Sequence, residues 1–262
     1  MGDSGRDGEG GATAVPPSRT GTEAAFDTPA TVMPPVPAAT TVLLRDTAGV
    51  VEVLMVRRNS KLEFAGGMWV FPGGRIDPAD YPGGVVAPDD PNAVMAAARR
   101  AAVREAAEET GLTIEEAGLV WFSHWTPPPI TPKRFATWFF AARAPAELAD
   151  LRVDGGEIHE FGWLAPADAL TRRNTGEIEL APPTWITLEQ LLGFGSVDAA
   201  LGGLTAGPVE HFTTRFARVD GGAVALYHGD AGYDDEDPDR AGPRHRLWML
   251  KEGWRYERDT GQ

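Results

Sequence analysis

The strongest constraint in the sequence is one stretch of 20 residues, Pro91–Thr110, which predicts a single long helix. It is rich in alanine, the residue that favours helices most. Asp90 is a good N-cap, Pro91 suits the first helical position, and Gly111 is a typical residue just past a helix end. A helix of this length spans ~30 Å. The chain must therefore fold around one long helix.

The segments on both sides of this helix have the pattern of β-strands. Residues 39–46 and 51–58 are β-branched runs around a short turn that contains Gly49, and they predict a hairpin. A third strand, residues 68–71, is expected to end at Pro72-Gly73-Gly74, where the glycines allow a close approach of the backbone. Residues 75–90 are predicted as a loop. Beyond the helix we expect strands at 119–125, 134–144 and 157–164, helices at 166–173 and 183–194, and a late hairpin of 222–230 with 244–258.

Composition excludes several classes of protein. The chain of 262 residues has 38 acidic and 24 basic residues, a net charge of -14, which argues against a nucleic-acid polymer as partner. It has no cysteine, which excludes disulfides, thiolate metal sites and cysteine nucleophiles. No apolar run is long enough to span a membrane, so we expect a cytoplasmic protein.

The predicted domain organisation has three parts. Residues 1–37 are poor in apolar residues and lack periodicity, which predicts a disordered leader. Residues 38–255 are expected to form one domain with a C-terminal helical and hairpin extension, and residues 256–262 a tail. Strands on both sides of a long helix predict an α/β (α+β) fold.

A cluster of charge lies at the end of the long helix. Arg104, Glu105, Glu108 and Glu109 are one turn apart in pairs, and together they predict a shared helix face. A solvated acidic face is the ordinary interpretation. However, each carboxylate near a helix C-terminus is unfavourable by ~0.3 to 1 kcal/mol. Like charges at positions i and i+4 are also unfavourable. Clustered carboxylates are what a hard divalent ion such as Mg²⁺ requires, so the pattern also indicates a metal site.

The motifs FPGG at Phe71 to Gly74 and REAAEETGL at Arg104 to Leu112 resemble the signature of the Nudix hydrolases, Gly-x5-Glu-x7-Arg-Glu-u-x-Glu-Glu-x-Gly-u with u aliphatic. The second half matches at every fixed position if Ala106 counts as aliphatic. The first half departs from it, because Asp80 stands where the signature has Glu. Gly74 lies 30 residues before Arg104 where the signature has 14, an insertion of 16 residues placed at about 80–95. This split is similar to the peroxisomal coenzyme A diphosphatase type and its bacterial relatives.

The resemblance implies an α/β/α sandwich with a mixed sheet, and hydrolysis of a diphosphate linkage in a small molecule. Carried over by position, Glu105, Glu108 and Glu109 would bind Mg²⁺ or Mn²⁺. Glu105 would also be a candidate base that orients water. Arg104 would pair with the carboxylates and hold their rotamers. The oligomeric state is not readable from the sequence.

Several other residues are candidates for the site, and each also has an ordinary structural explanation. As contacts for substrate phosphate we consider turn glycines and cations near strand ends: Gly73, Gly74, Arg58, Lys133 and Arg134. As additional acids we consider Asp80, which is otherwise a plain loop aspartate, and Glu157 and Glu160, which are otherwise exposed strand residues. The five histidines show no metal-ligand spacing. Most of the aromatic residues at 121–125 and 138–139 are expected in the core, with one or two able to stack on a base.

The sequence does not determine the substrate. The segments on both sides of this signature, the Nudix box, favour coenzyme A or an acyl derivative. Glu63 speaks against strong recognition of its extra phosphate, because it stands where coenzyme A-cleaving members carry Arg. The alternatives are a hydrolase of ADP-ribose, NADH or dinucleotide type, and a non-catalytic nucleotide-binding regulatory module. Three mutually repelling glutamates argue against the latter.

Overall fold

A computed structural model describes residues 34–59, 67–129, 134–146 and 158–259 of the chain. The described residues form a mixed α and β architecture, as predicted. The strands are β1 (Val36–Thr47), β2 (Val50–Arg58), β3 (Trp69–Val70), β4 (Gly73–Arg75), β5 (Val120–Thr126), β6 (Phe135–Arg143), β7 (Ile158–Leu164), β8 (Glu210–Thr213), β9 (Arg215–Val219), β10 (Gly222–Leu226), β11 (His245–Leu250) and β12 (Gly253–Arg258). The helices are α1 (Pro91–Thr110), α2 (Pro166–Asn174), α3 (Pro182–Leu191) and α4 (Val197–Ala206).

The main sheet is mixed and has the strand order β3-β2-β1-β6-β5-β8. The predicted hairpin forms its centre, with β1 antiparallel to β2, and β1 continues in parallel beside β6. The short strand β4 pairs with the first half of β1, and β7 pairs with β2. At the other edge β8 runs parallel to β5. The first half of β1 therefore lies between β4 and β6, which places the Gly-Gly segment next to the centre of the sheet.

Helix α1 covers one face of this sheet, with the bounds that its caps predict. Asp90 accepts hydrogen bonds from the N–H groups of Asn92 and Ala93, and Gly111 has a φ of 74° at the other end. The face toward the sheet is made of alanines, so helix and sheet approach closely. The hydroxyl of Thr41 on β1 donates to the carbonyl of Ala102 at 3.1 Å. The fully buried alanines are Ala97, Ala98, Ala101, Ala102 and Ala106.

The opposite face of the main sheet is covered by α2, α3 and α4 together with a second sheet, ordered β12-β11-β10-β9. The largest core cluster joins these layers. Val42 and Met55 from the main sheet, Ile186 from α3 and Ala225 from β10 all belong to it and are fully buried. The result is a sandwich with α1 on one side of the main sheet and helices with a small sheet on the other.

Several predicted boundaries were wrong. β1 begins at Val36, inside the predicted leader, because its backbone N–H already bonds to the carbonyl of Arg134. β12 continues to Arg258, inside the predicted tail, because Arg258 pairs with His245. Residues 1–33 and 260–262 lie outside the described residues.

Two local predictions also need correction. Residues 73–75 do not end the strand pattern but form β4, since a strand without side chains at Gly73 can lie against β1. The late hairpin is instead a sheet of four strands, because the segment 244–258 folds back on itself at Lys251 and Glu252, and β9 adds a further partner. None of the helices in the described part of the chain is long and apolar enough to cross a membrane.

Candidate active site at the end of helix α1

The last turns of α1 lie directly against the Gly73-Gly74 segment. A Cβ atom on Gly74 would come within 2.3 Å of Oε1 of Glu105, and one on Gly73 within 2.2 Å of Oγ1 of Thr40. At Gly73 the backbone of β1 also lies within 2.7 Å of the Cβ position, so only glycine fits there, whereas a larger residue at Gly74 would have to displace the Glu105 carboxylate. The Gly73 N–H donates to Oε2 of Glu109 at 2.9 Å, which buries Glu109 to 6% exposure. The backbone of β4 thus sets the positions of two of the three helix glutamates.

Arg104 connects the remaining acids. Its Nη1 donates to Oε1 of Glu105 at 2.8 Å and to Oε2 of Glu108 at 3.1 Å. Its Nη2 donates to the carbonyl of Arg75 at 2.9 Å. Hydrogen bonds from its side chain to Asp80 are the main reason that the pKa of Arg104 is raised above its ordinary value. The guanidinium is therefore always charged and hydrogen-bonds the side chains of Glu105 and Glu108, which is the pairing that the resemblance implies for Arg104.

Asp80 belongs to this network, although the sequence favoured a plain loop aspartate. Arg104 donates to Oδ1 of Asp80 at 3.1 Å from Nε and to Oδ2 at 2.9 Å from Nη2, a two-pronged pair. The Asp77 N–H donates to Oδ2 as well, and Asp80 is only 5% exposed. The Asp80 carbonyl accepts from Arg100, one turn earlier on α1. Asp80 thus binds the arginine of the box, at the place where the signature has its first glutamate.

The donor set of this site suits a hard divalent cation. Glu105 and Glu108 each use one carboxylate oxygen for Arg104 and keep a second oxygen that no described residue hydrogen-bonds. Burial raises the pKa of Glu105 above its ordinary 4.5, against the opposing effect of Arg104. A neighbouring cation would offset that effect of burial. Among the described residues, no group of three acids or histidines is close enough together to hold a metal ion by itself. The glutamates supply oxygen ligands of the kind that Mg²⁺ binds, but they do not surround an ion.

The other predicted site residues lie on different elements. Glu160 on β7 faces solvent, 54% exposed, and pairs with Arg57 at 3.4 Å. Arg58 is the last residue of β2. Arg134 is buried and donates to the carbonyl of Pro127, which ties together the ends of the Pro-rich loop. Lys133 and Glu157 lie outside the described residues.

The aromatic residues of β5 and β6 divide between the two faces of the sheet. Phe122, Trp125 and Phe139 are buried in the larger core, as predicted. Trp121 and Trp138 are only partly buried and lie on the α1 side.

The histidines come closer together than their spacing indicates. The rings of His124 and His211 are 5.9 Å apart. The backbone pairing of β5 with β8 brings these two residues together, and no local motif predicts it. The side chain of His159 lies outside the described residues.

One buried ion pair outside this site was also missed by sequence reasoning. Asp230 and Arg246 are 0% and 1% exposed and form a two-pronged pair with both distances at 2.6 to 2.7 Å. Asp230 also accepts from the N–H groups of Gly232 and His245. Asp230 begins the acidic segment that leads from β10 to β11. No local pattern indicates this pair, because the two partners are 16 residues apart along the chain.

Comparisons with known proteins give a family match and several similar structures. The family model of the NUDIX domain matches residues 34–184, which is more than half of the chain. A NUDIX hydrolase structure from Alicyclobacillus acidocaldarius is 28% identical with a TM-score of 0.58, and the alignment covers 68% of this chain and 100% of that one. A MutT NUDIX hydrolase from Burkholderia pseudomallei is 22% identical with a TM-score of 0.44, covering 61% and 99%. No curated protein matches the chain.

Proposed function

The chain belongs to the NUDIX domain family and is a hydrolase, and from that premise we propose that it cleaves a diphosphate linkage with the help of Mg²⁺ or Mn²⁺. The observation that carries the proposal is the contact of Glu105 with the Gly74 backbone. It places a carboxylate beside a stretch of backbone that has no side chain to obstruct a phosphate. A small diphosphate compound is the substrate class that such a site accommodates.

The residues of the chain have separate tasks in this proposal. Glu105, Glu108 and Glu109 would hold the cation, which would neutralise charge on the phosphate oxygens during displacement. Glu105 accepts the proton of the attacking water, because its carboxylate is half-buried, is held by Arg104 and keeps a second oxygen that no described residue hydrogen-bonds. Arg104 keeps Glu105 and Glu108 in position and is a positioning residue. Gly74 leaves the space that the Glu105 carboxylate occupies against the β4 backbone.

A non-catalytic nucleotide-binding module is the alternative. A pure binder gains nothing from Glu105, Glu108 and Glu109 at one helix end, where they repel one another and the helix dipole. The described structure offers only one cation within hydrogen-bonding distance of Glu105 and Glu108, namely Arg104, and Asp80 shares it. An excess of negative charge favours the metal-dependent enzyme.

Among substrates we favour coenzyme A or an acyl derivative slightly, because the flanks of the box are similar to the coenzyme A diphosphatase type. The cut would fall at the diphosphate and release 3',5'-ADP and a 4'-phosphopantetheine product. Glu63, which lies outside the described residues, opposes this choice by its charge. Replacing Glu63 by Arg should lower KM for coenzyme A with less effect on kcat. ADP-ribose, NADH and dinucleoside polyphosphates are the competing substrates.

The test is a panel of these compounds with Mg²⁺ or Mn²⁺, read by mass spectrometry, with and without EDTA. We expect cleavage at the diphosphate that stops in EDTA. Glu105→Gln should lower kcat by roughly 100-fold or more, in keeping with the loss of a general base. Glu116→Gln, an exposed acid just after α1, is the matched control and should leave kcat unchanged. Cleavage that survives full chelation would rule out the metal mechanism, and no cleavage of any compound would favour the binding module.

A further inference from the structure

A cleft of about 440 Å³ lies between β8 and the second sheet, in a part of the chain that the NUDIX family model does not match. β8 supplies Glu210 to its lining, and β11 and β12 supply His245 and Arg258. Among the described residues, none of those placed at the candidate active site lines this cleft. The cleft is therefore a second place on the molecule where a ligand could bind.

Strand pairing brings the three polar residues of the cleft together. His245 and Arg258 pair directly across β11 and β12, so they share one face of the second sheet. Arg258 forms an ion pair with Glu210. Glu210 lies on the same face of β8 as Phe212, two residues later, and the ring of Phe212 is 5.5 Å from that of His245. Glu210 and His245 thus both face the space between β8 and the second sheet.

Two hydrogen-bond acceptors in this cleft are left without a donor. Oε1 of Glu210 accepts from Arg258, but Oε2 is buried and has no partner among the described residues. Nδ1 of His245 lies 2.8 Å from the carbonyl oxygen of His228, which only accepts, so Nδ1 carries a hydrogen. Burial is the main reason that the pKa of His245 is lowered, so the imidazole is neutral and its Nε2 is an acceptor. This Nε2 is also buried, again with no partner in the described part of the chain.

The two acceptors determine the kind of ligand that fits. Leaving a buried acceptor unsatisfied costs stability, so a ligand with hydrogen-bond donors is favoured. The oxygens of an anion would only add further acceptors. A metal ion is not favoured, because no three acids or histidines of the described chain are close enough together to hold one. A primary ammonium group carries three N–H donors, enough to serve both atoms.

The charge around the cleft also favours a cation. Arg258 is the only arginine or lysine among the described residues that line it, and Glu210 balances that charge. Tyr233 in the lining is followed by four consecutive acids, residues 234–237. Pro208 and Val209 give the lining an apolar part. These surroundings suit an amine with a short apolar tail.

We propose that the cleft binds a small primary amine in its ammonium form, which donates hydrogen bonds to Oε2 of Glu210 and Nε2 of His245. Hydrogen bonds between two charged groups are the stronger ones, so Glu210 supplies more of the affinity than His245. The site goes beyond the proposed hydrolysis, and its test involves no diphosphate compound.

The experiment titrates the full chain with n-butylammonium at neutral pH and follows binding by calorimetry and by the nitrogen NMR signals of the histidines. We expect saturable binding and a shift of the His245 Nε2 signal, because that atom gains a donor. Butyltrimethylammonium has the same charge but no N–H group, and it should bind roughly 10-fold more weakly or worse, the scale of a hydrogen bond to a charged group. Equal affinities for the two cations would overturn the proposal. No saturable shift of the Nε2 signal would overturn it too, and would mean that a bridging water only satisfies the two acceptors.

Two variants test the acceptors separately. Glu210→Gln removes the charge at similar size, and His245→Phe keeps a ring beside Phe212 but removes Nε2. Each should weaken n-butylammonium binding, the first by roughly 10-fold or more. Glu257→Gln is the matched control, because Glu257 also pairs with an arginine on β12 but lies on the other face of the second sheet. Equal losses in Glu210→Gln and Glu257→Gln would overturn the site, and the comparison of the two cations on the parent chain decides the question if a variant fails to fold by circular dichroism.

Discussion

At the scale of single residues, the candidate site depends on the absence of a Cβ atom at Gly74. Gly74 has ordinary backbone geometry for a strand, so conformational freedom is not what requires glycine there. The requirement is space, because the Glu105 carboxylate occupies the position that a Cβ would take.

Gly74→Ala is therefore expected to damage the site more than the fold. The methyl group must displace Glu105 from its hydrogen bond with Arg104, and we expect kcat to fall by at least 10-fold and the unfolding free energy by about 1–3 kcal/mol from overpacking. Steady-state kinetics and chemical denaturation measure the two effects. Gly118→Ala is the control, because a Cβ there meets nothing within 4 Å. Full activity in Gly74→Ala would contradict the close contact.

His124 should make stability depend on pH. Its pKa is lowered from 6.5 to about 4 by burial, so between these values the unfolded chain binds a proton that the folded chain does not. The stability that the neutral His124 side chain contributes is complete above pH 6.5 and is lost as the pH falls toward 4. The melting temperature of the parent should therefore drop more steeply over this range than that of His124→Gln.

The control for this effect is His228→Gln, which removes an exposed histidine and is measured over the same pH range. His245 also has a pKa lowered by burial, but it is present in all three proteins and cancels in the comparison. Parallel curves for the parent and His124→Gln would show that His124 is not held neutral by the fold.

At the scale of elements, the segment inside the box has a structural task. Residues 75–90 are joined to α1 through Asp80, which meets Arg104 with its carboxylate and Arg100 with its carbonyl. Tyr81 follows it into the core cluster under α1. The insertion is thus anchored on the helix immediately at its start.

Asp80→Asn should loosen this anchor. It removes the charge that Arg104 pairs with in a buried position, and we expect a loss of about 2 kcal/mol of unfolding free energy, typical of hydrogen bonds to a charged group. Denaturant titration measures the loss. Asp77→Asn is matched to it, because Asp77 is half exposed and 3.9 Å from the same guanidinium, and it should cost little. Equal losses in the two variants would contradict the assignment of Asp80 as the anchor.

At the scale of the whole molecule, the second sheet is stabilised by a buried charge pair. Asp230 and Arg246 are both inaccessible to solvent and engage each other with two bonds. Asp230→Asn should cost about 3–5 kcal/mol, because it leaves Arg246 buried without its counter-charge. Asp235→Asn in the same acidic segment is the control, since Asp235 pairs with Arg240 in the open and should contribute under about 1 kcal/mol. A small effect of Asp230→Asn on thermal or chemical unfolding would contradict this view.

The leader is expected to be dispensable. Residues 1–33 are poor in apolar side chains, whereas β1 already begins at Val36, so the cut must preserve the strand. Deleting residues 2–33 should leave the melting temperature and the specific activity within error. A folding defect would show that the leader packs on the domain.

Much of the molecule was determined by local sequence. The caps at Asp90 and Gly111 predicted the bounds of α1, and the alternation around Gly49 predicted the central hairpin, because such signals act within a few residues. The charges of Arg104, Glu105, Glu108 and Glu109 indicated the candidate site in the same way, since helix spacing alone brings them together. Local rules gave less at the ends of the domain, where β1 extends through its pairing with the distant strand β6 and β12 extends along its hairpin partner β11.

Only the tertiary structure decided what these elements meet. Asp80 became the partner of Arg104 across an insertion, and Asp230 became the partner of Arg246 across a loop, because burial and counter-charge are settled between segments that lie far apart in the chain. The close approach of His124 and His211 exists only through the pairing of β5 with β8. Sequence spacing cannot reveal it, because strand order and register depend on long-range packing of the whole sheet.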